Sequence, residues 1–466
     1  MFGLGRKQPA DTKAVSPSDP ASVYLGHYGQ GGLCGEELTY GGERHLLLFG
    51  PNGSGKGTRL LVPNLLRIEG KSLVVIDPKG ELASVTAAHR FKVSDVVILN
   101  PFNLLDMGSA GFNPLAALDP DSDTFMDDAA GVGEALIKVE ERDPHWSESA
   151  QGLIVGLLMW EVQRAKREGR PPLLENVRQL LTEPDEYELI DGKRRLVKGL
   201  RITAARMCDQ GGFEIESLIG RFLRDTDEIA SIQSTADRQT SWILSRPMRA
   251  DLARNGINFA DLKRRPVTVY VVLPAERMRT HSIWLRLVIV TALRSLYRPG
   301  GLPTLFMLDE FAQLGHLGPI EDAFGLVRGY KVQLWPILQD LNQLKALYKE
   351  RWETFVGNAG VVQGFAPNDL TTADWMSRRA GETTVVAAGY NHGDNTSATG
   401  QGTSDGVGYQ QTKRRLFLPQ ELMDIPEGAG LMWPSGTSKS VPFFAPSYWQ
   451  DPAVAKRALP NPYYRT

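Results

Sequence analysis

The stretch FGPNGSGKGTRLLVPNLL, residues 49–66, decides the fold of this chain. It departs by one letter from the phosphate-binding loop pattern G-x-x-x-x-G-K-[ST], because Gly57 stands where the pattern has a hydroxyl residue, and Thr58 follows one position late. The apolar run HLLLF before the glycines predicts a strand, and GTRLLVPNLLR after them predicts the start of a helix. Strand, glycine loop and helix form the context in which this motif binds phosphate.

The loop residues have separate expected roles at a bound nucleotide. Backbone N–H groups between the glycines close around phosphate oxygens at a helix N-terminus, and Lys56 reaches the β- and γ-phosphates. A hydroxyl directly after the lysine normally holds magnesium, and Thr58, about 100° further round the helix, is an imperfect substitute. The predicted nucleotide-binding residues are Gly50, Pro51, Asn52, Gly53, Ser54, Gly55, Lys56, Gly57 and Thr58.

Composition excludes several classes of protein. The 466 residues predict two or three domains, and 52 basic residues against 54 acidic ones leave no overall basic charge to indicate nucleic acid binding. Two cysteines, Cys34 and Cys208, cannot form a disulfide framework or a four-thiol zinc cluster, and they fit a reducing cytoplasm. No apolar run reaches the roughly 18 uncharged residues that a membrane-spanning helix needs.

Short apolar runs separated by helical stretches predict an α/β fold with a mostly parallel sheet covered on both faces. The predicted strands are HLLLF (45–49), SLVVI (72–76), VVIL (96–99), TVYVVL (268–273), TLFML (304–308), VQLWPIL (332–338) and VVQGF (361–365).

Between residues 122 and 245 the strand signal nearly vanishes and helical apolar spacing replaces it, which predicts an all-α domain inserted into the sheet sequence. A run rich in Gly, Ser, Thr and Asn predicts a mobile loop at 387–409. The expected organisation is a flexible arm (1–39), a nucleotide-binding domain in two parts (40–121 and 246–446), the all-α domain (122–245) and a C-terminal tail (447–466).

The segment TLFMLDEFAQLG, residues 304–315, supplies a second half for a nucleotide site. A buried strand ending in Asp309 and Glu310 delivers two carboxylates to the sheet edge at which ligands of α/β proteins bind. Asp309 suits the magnesium shell, and Glu310 suits polarisation of an attacking water. The loop and this strand together predict an ATP hydrolysis site.

Other positions are less specific by themselves. Asp77 before Pro78 is a good helix start, and this interpretation is about as favourable as a functional role for Asp77, Lys79 or Glu81. Gln339 ends the strand expected beside the one carrying Asp309, where a polar side chain can sense the γ-phosphate. Arg328 and Arg44, as lone arginines, fit solvated surface charges. The same holds for the basic runs at 193–195, 263–265 and 413–415, which are also candidates for contacting DNA phosphates.

Eight motifs, taken in order, resemble the TraG-like coupling proteins of type IV secretion and conjugation. The resemblance extends from about Tyr40 to Pro446, and Gly after the loop lysine is common in that family. The motifs are GPNGSGKG (50–57), VVIDPKGE (74–81), GFNPL (111–115), HWSESAQ (145–151), LDEFAQLG (308–315), LVRGY (326–330), LQDLNQL (338–344) and GNAG (357–360).

The resemblance implies a RecA-like P-loop NTPase domain, interrupted by an all-α domain that reads cargo, in a ring of six subunits using ATP and Mg2+. Lys56, Asp309, Glu310 and Gln339 match the phosphate lysine, magnesium carboxylate, water carboxylate and sensor. Arg328 and Arg44 match arginines that reach a neighbouring subunit's nucleotide, which makes hydrolysis depend on assembly. Implied partners are a relaxase or relaxosome, DNA bound without sequence preference, and the secretion channel.

Family members usually begin with transmembrane helices, and this sequence has none before Tyr40. We therefore expect no intrinsic membrane span and a cytoplasmic protein recruited to the inner membrane by the channel. Three alternative functions remain open: a coupling ATPase that recruits protein effectors without DNA, a nucleotide-binding docking platform with negligible turnover, and, more distantly, a cellular DNA pump of the FtsK or HerA type.

Overall fold

The computed structural model describes residues 19–29, 35–140, 143–190, 193–397 and 400–464. Strands and helices alternate along most of these ranges. The strands are β1 (Val23–Tyr28), β2 (Glu37–Tyr40), β3 (His45–Phe49), β4 (Ser72–Asp77), β5 (Asp95–Leu99), β6 (Glu186–Ile190), β7 (Lys193–Val197), β8 (Val267–Val272), β9 (Thr304–Leu308), β10 (Val332–Leu338), β11 (Ala359–Phe365), β12 (Glu382–Ser397), β13 (Gly400–Arg415), β14 (Ala429–Pro434) and β15 (Val441–Phe444).

The helices range from single turns to a helix of 25 residues. They are α1 (Val62–Arg67), α2 (Glu81–Arg90), α3 (Phe125–Leu136), α4 (Pro144–Glu168), α5 (Leu174–Leu181), α6 (Gly199–Gln210), α7 (Phe213–Ile219), α8 (Asp227–Thr240), α9 (Arg246–Leu252), α10 (Met278–Ser295), α11 (Gly318–Leu326), α12 (Leu341–Tyr348), α13 (Trp352–Asn358), α14 (Leu370–Ala380), α15 (Pro419–Met423) and α16 (Pro452–Ala455).

The chain divides into two compact units, and the larger consists of Leu61–Ile337 and Asp451–Thr466. Its sheet has the strand order β10-β9-β4-β8-β5, and all four neighbouring pairs are parallel. The central strands β4, β8 and β9 are buried along their whole length, as expected for a parallel sheet covered on both faces. The five strands predicted within this unit are confirmed.

The smaller unit consists of Met1–Leu60 and Leu338–Gln450. Its sheet has the order β2-β1-β15-β14-β11-β3, in which β11 and β3 are parallel and the other pairs are antiparallel. The predicted strands at 45–49 and 361–365 are confirmed, whereas β1, β2, β14 and β15 were not predicted. These four carry few of the continuous β-branched runs that marked the other strands.

Two segments predicted to be flexible have regular structure. Within the described part of residues 1–39, where an arm was expected, lie β1 and all of β2 except its last residue, Tyr40, and the buried Val23, Tyr24 and Leu25 anchor β1. Residues 1–18 and 30–34 of the expected arm lie outside the described residues. Of the run 387–409, expected to be a mobile loop, the described residues 387–397 and 400–409 belong to the antiparallel pair β12–β13, in which Glu382 is opposite Arg415. Ladder hydrogen bonds come from the backbone, so Gly and Ser content does not prevent them.

The described part of residues 122–245 is helical except for the hairpin β6–β7. In the sequence, Asp191-Gly192 between these strands is a strong signal for a two-residue hairpin, and it corrects the prediction of an all-α domain. Helix α4 begins at Pro144 after Asp143, as that pair predicts, and its buried face carries Leu153, Leu157 and Trp160. Within the described ranges, no helix combines the length and the apolar character that crossing a bilayer requires.

Candidate functional site

The loop after β3 has the backbone conformation that its glycines permit. Gly53 and Gly55 have φ angles of 84° and 80°, in the left-handed region that favours glycine. A Cβ at Gly50 would lie 2.8 Å from Ser54 Oγ and 3.1 Å from Lys56 Cγ, so a side chain there would displace the loop. The Gly50 N–H donates to the Leu338 carbonyl at 2.9 Å, which holds the start of the loop.

Lys56 folds back over the loop. Its Nζ donates to the Gly50 carbonyl at 2.5 Å and to the Pro51 carbonyl at 3.2 Å. Ser54 Oγ is buried and has no hydrogen-bond partner in the described part of the chain. A concave loop with an ammonium group across it and an unsatisfied hydroxyl within it fits an anionic, oxygen-rich ligand such as a nucleotide phosphate chain.

The chain enters its helix with a π-helical turn, Gly57–Leu61, before α1 begins. Thr58 is buried, and its Oγ1 donates to the Gly55 carbonyl at 3.3 Å. A Cβ at Gly57 would have no atom within 4 Å. The position of the missing hydroxyl is therefore open space, whereas the Thr58 hydroxyl is directed at the loop backbone.

Arg59 anchors the π-helical turn after the loop, and this role was not predicted from the sequence. Its Nη1 donates to the Ala445 carbonyl at 2.9 Å, and its Nη2 contacts Glu427 Oε1 at 2.7 Å. The partners lie more than 360 residues away along the chain. A lone arginine after a glycine loop gives no sign of such contacts.

Gln339 lies close to the loop, because it follows Leu338, whose carbonyl accepts the Gly50 N–H. Gln339 is half-buried, and its backbone N–H donates to Gln343 Oε1 at 3.0 Å. The smaller unit therefore brings together the phosphate loop and the predicted sensor.

The two arginines lie elsewhere. Arg44 is exposed at the amino end of β3, opposite to the end from which the loop leaves, and five strand residues separate the two ends by about 16 Å. Arg328 lies in the turn Val327–Tyr330 before β10, and its side chain is outside the described part. In the larger unit this turn is at the amino edge of the sheet, whereas Asp309 is at the carboxyl edge.

Asp309 and Glu310 follow β9 directly and are half-buried. Asp309 Oδ1 accepts a hydrogen bond from the Glu310 N–H at 3.0 Å. Glu310 has a φ of 50°, an uncommon backbone conformation for a residue with a side chain. The chain therefore changes direction at Asp309 and Glu310, immediately after β9.

Asp77 ends β4 beside them and is fully buried. Burial, with the nearby carboxylate of Asp309 adding to it, raises the pKa of Asp77 to about 7. The predicted helix start at Asp77 is wrong in register, because α2 begins at Glu81 after Gly80 in a left-handed conformation. The Asp77 carboxylate nevertheless accepts from the Ala83 N–H at 2.8 Å.

The C-terminal segment packs on the turn between Asp77 and Glu81. Asn461 Nδ2 donates to Glu81 Oε1 at 2.8 Å, and both side chains are buried. The Tyr463 hydroxyl donates to the Lys79 carbonyl at 2.7 Å. These contacts hold the turn that follows β4.

In the described residues, no group of three or more His, Cys, Asp or Glu side chains is arranged to hold a metal ion. Magnesium at nucleotides is usually held by one or two carboxylates together with phosphate oxygens and waters. Asp309 fits this requirement, since its carboxylate lies at the carboxyl edge of a parallel sheet. The chemistry and position of Asp309 therefore fit a ligand of a magnesium ion.

The candidate basic runs for nucleic acid are partly engaged in ion pairs. Arg265 contacts Asp95 and Asp261. Arg415 contacts Asp374 at 2.6 Å, and Arg414 contacts Glu421. Their positive charges are therefore partly neutralised within the chain.

Comparison with known proteins gives a consistent result. A family model described as Type IV secretory system Conjugative DNA transfer matches residues 6–458. Conjugal transfer protein TraG of Escherichia coli is 28% identical over 477 residues, covering 91% of this chain and 70% of TraG. Protein VirD4 of Agrobacterium fabrum is 27% identical over 368 residues, covering 76% of this chain and 52% of VirD4.

Among solved structures, the bacterial conjugative coupling protein TrwBdeltaN70 matches with a TM-score of 0.63 at 18% identity, covering 87% of this chain and 85% of that one. TrwB has also been solved with a non-hydrolysable ATP analogue and with ADP and Mg2+. The likeness establishes the fold: a RecA-like P-loop NTPase with a mostly parallel sheet, as the sequence predicted.

Proposed function

The chain belongs to the Type IV secretory system Conjugative DNA transfer family, and on that premise we propose that it is an ATP-driven coupling protein. It recruits a relaxosome or other cargo to a type IV secretion channel and powers the transfer. The observation that carries the ATPase part is the loop after β3, with Lys56 across loop carbonyls and Ser54 Oγ unsatisfied.

Each predicted residue then has a role in ATP hydrolysis. When ATP binds, Lys56 Nζ replaces its hydrogen bonds to the Gly50 and Pro51 carbonyls with contacts to β- and γ-phosphate oxygens. The backbone N–H groups of the loop bind the other phosphate oxygens. Glu310 accepts a proton from the attacking water and orients it. Gln339, next to the loop, senses whether a γ-phosphate is present. Asp309 would hold Mg2+, which would supply positive charge at the phosphates.

Arg44 and Arg328 act on the nucleotide of a neighbouring subunit. Their places at the amino ends of β3 and β10, away from the loop and from Asp309 respectively, suit residues that serve another subunit's site. Hydrolysis then requires assembly, and we propose a homohexameric ring. DNA is bound through its backbone without sequence preference.

The helical block at 122–245 receives the cargo, and the secretion channel holds the protein at the cytoplasmic face of the inner membrane. Both assignments rest on the family, whose curated members include conjugal transfer proteins. The competing function is the recruitment of protein effectors without DNA. It predicts ATP turnover that does not respond to DNA.

ATP turnover with and without single- and double-stranded DNA tests the proposal, using wild type, Lys56→Ala and Arg328→Ala. We expect turnover that DNA stimulates and that both substitutions abolish. Turnover indifferent to DNA favours the protein-cargo function. A wild type that hydrolyses no ATP under any assembling condition contradicts both, and leaves a nucleotide-binding docking platform.

A further inference from the structure

Arg286 lies in the middle of α10 and is buried, with 4% of its surface exposed. Its guanidinium donates to backbone carbonyls on two separate elements of the larger unit. Nη1 donates to the Leu314 and His316 carbonyls at 3.0 and 2.6 Å, and Nε donates to the Ala135 carbonyl at 3.3 Å. Because a guanidinium is a rigid plane of donors, it fixes the two elements relative to each other.

The first of these elements begins at the carboxylate pair. The turn Phe311–Leu314 follows Glu310 directly, and the Gln313 N–H donates to the Glu310 carbonyl at 2.9 Å. Phe311 and Leu314 are fully buried. A short, packed turn thus connects Glu310 to the two carbonyls that Arg286 holds.

The second element is the end of α3, in the helical block. Ala135 lies in the last turn, where carbonyls have no partner within the helix and a cation is favoured. Lys138 follows α3 by two residues and makes two backbone hydrogen bonds with the side chain of Gln239 on α8. The Lys138 N–H donates to Gln239 Oε1 at 2.6 Å, and the Lys138 carbonyl accepts from Gln239 Nε2 at 2.9 Å. Lys138 Nζ donates to Ser282 Oγ on α10 at 3.0 Å. The end of α3 therefore joins α8 to α10.

We propose that Arg286 is a positioning residue through which the helical block 122–245 controls the backbone of Glu310. A shift of α3 moves the Ala135 carbonyl, which accepts a hydrogen bond from Arg286 Nε. The guanidinium moves with that carbonyl, and the Leu314 and His316 carbonyls, which are bonded to Nη1, move with the guanidinium. The turn passes this displacement to Glu310, whose φ of 50° must be held by its surroundings. The inference rests on the proposed ATPase function. It gives the helical block a physical link to Glu310, the carboxylate to which we assign the attacking water.

Amide hydrogen exchange of the nucleotide-free full chain tests the link without requiring turnover. Arg286→Lys keeps the charge but cannot hold both elements with one plane, and Arg286→Met removes the donors. We expect exchange of residues 311–316 about tenfold faster in Arg286→Lys, from the loss of charged hydrogen bonds, and unchanged in the control Arg279→Met, an exposed arginine on the same helix. Unchanged exchange in Arg286→Lys overturns the proposal even if Arg286→Met does not fold.

Gln239→Leu tests the same link from the far side, since it releases Lys138 and touches neither Arg286 nor the turn. It should also speed exchange at 311–316, and it should lower the ratio of DNA-stimulated to basal ATP turnover by about tenfold. Exchange and ratio both equal to wild type overturn the proposal.

Steady-state kinetics separate positioning from a general loss of structure. Arg286→Lys should lower kcat for ATP about tenfold and change KM less than twofold, because the loop that binds phosphate is untouched. A rise in KM that equals the fall in kcat contradicts the proposal. If wild type shows no turnover, the proposed ATPase function fails, and the exchange experiment alone decides whether Arg286 links the two elements.

Discussion

Asp77 and Asp309 leave neighbouring parallel strands at the same edge, one position beyond the paired residues Ile76 and Leu308. Asp77 is buried, and the carboxylate of Asp309 adds to the effect of burial in raising the pKa of Asp77. Proximity of these two acids requires that β4 and β9 be adjacent, although they are more than 220 residues apart in the sequence. It also creates a titration that can be measured.

The first prediction concerns pH. The pKa of Asp77 is about 7 in the folded chain and 3.8 as an ordinary aspartate, so the folded state binds more protons between these values. Stability from this group is therefore lost as pH rises from about 4 to about 7. Asn at position 77 stays neutral at every pH. The Tm of Asp77→Asn minus the Tm of wild type should therefore increase by roughly 3 °C or more between pH 4 and pH 7.

Thermal unfolding of nucleotide-free protein in a chelator, at several pH values, measures this difference. Asp123→Asn, at an exposed position, serves as the control and should give a Tm difference that does not change with pH. A difference between Asp77→Asn and wild type that is constant from pH 4 to 7 would contradict the raised pKa.

The second prediction concerns Lys56. Lys56→Ala should lower ATP turnover by about 100-fold or more, because it removes the cation assigned to the transferred phosphate. It should lower Tm by only a few °C, since the two part-buried hydrogen bonds that Lys56 donates to loop carbonyls each contribute about 1 kcal/mol of net stability. Lys439→Ala, an exposed lysine on the same unit, should match wild type in both measurements. Normal turnover in Lys56→Ala would exclude this loop as the ATPase site.

The third prediction concerns Glu310. Glu310→Gln keeps the size of the side chain and removes its ability to accept a proton, so kcat should fall by about 100-fold or more while nucleotide affinity stays unchanged. Single-turnover hydrolysis and equilibrium binding of a fluorescent ATP analogue measure the two effects. Loss of binding equal to the loss of turnover would indicate a role in the ground state instead.

The fourth prediction concerns the missing hydroxyl. Gly57→Ser should fold normally, because a Cβ at this position meets no atom within 4 Å. It should reach half-maximal turnover at a lower Mg2+ concentration than wild type, since it restores a typical magnesium ligand. Thr58→Val is the matched test of the alternative ligand. A raised Mg2+ requirement in Thr58→Val, with none of the expected change in Gly57→Ser, would assign the ion to Thr58.

The fifth prediction concerns action between subunits. Lys56→Ala and Arg44→Ala should each be inactive alone, yet an equal mixture should regain about a quarter of wild-type turnover, because random rings pair an intact Lys56 with a neighbour's intact Arg44 at one interface in four. Turnover of the mixture at increasing protein concentration measures this. No recovery, in mixed rings that are shown to form, rules out Arg44 in trans.

Much of the fold was predictable because its signals are local. Continuous apolar runs predict seven strands, and all of them except β5 are buried along their whole length. The loop is predicted by its glycines, two of which, Gly53 and Gly55, have the left-handed backbone that favours glycine. Four strands of the smaller unit with weaker apolar patterns, and the long pair β12–β13, were not predicted. The reason is that hydrogen bonding between strands depends on the partner strand as much as on side-chain type.

The sequence by itself determined the α/β class, and it predicted a phosphate-binding loop at residues 50–58 and a functional carboxylate pair at Asp309 and Glu310, since these follow from residue type and spacing. Only the tertiary structure decided that Asp77 is a buried acid beside Asp309, that Arg59 anchors the π-helical turn after the loop, and that Arg286 joins α3 to the turn after Glu310. The physical reason is the same in each case. Burial, pKa and hydrogen-bond partners are set by residues distant in the chain, and chain folding alone brings these into contact.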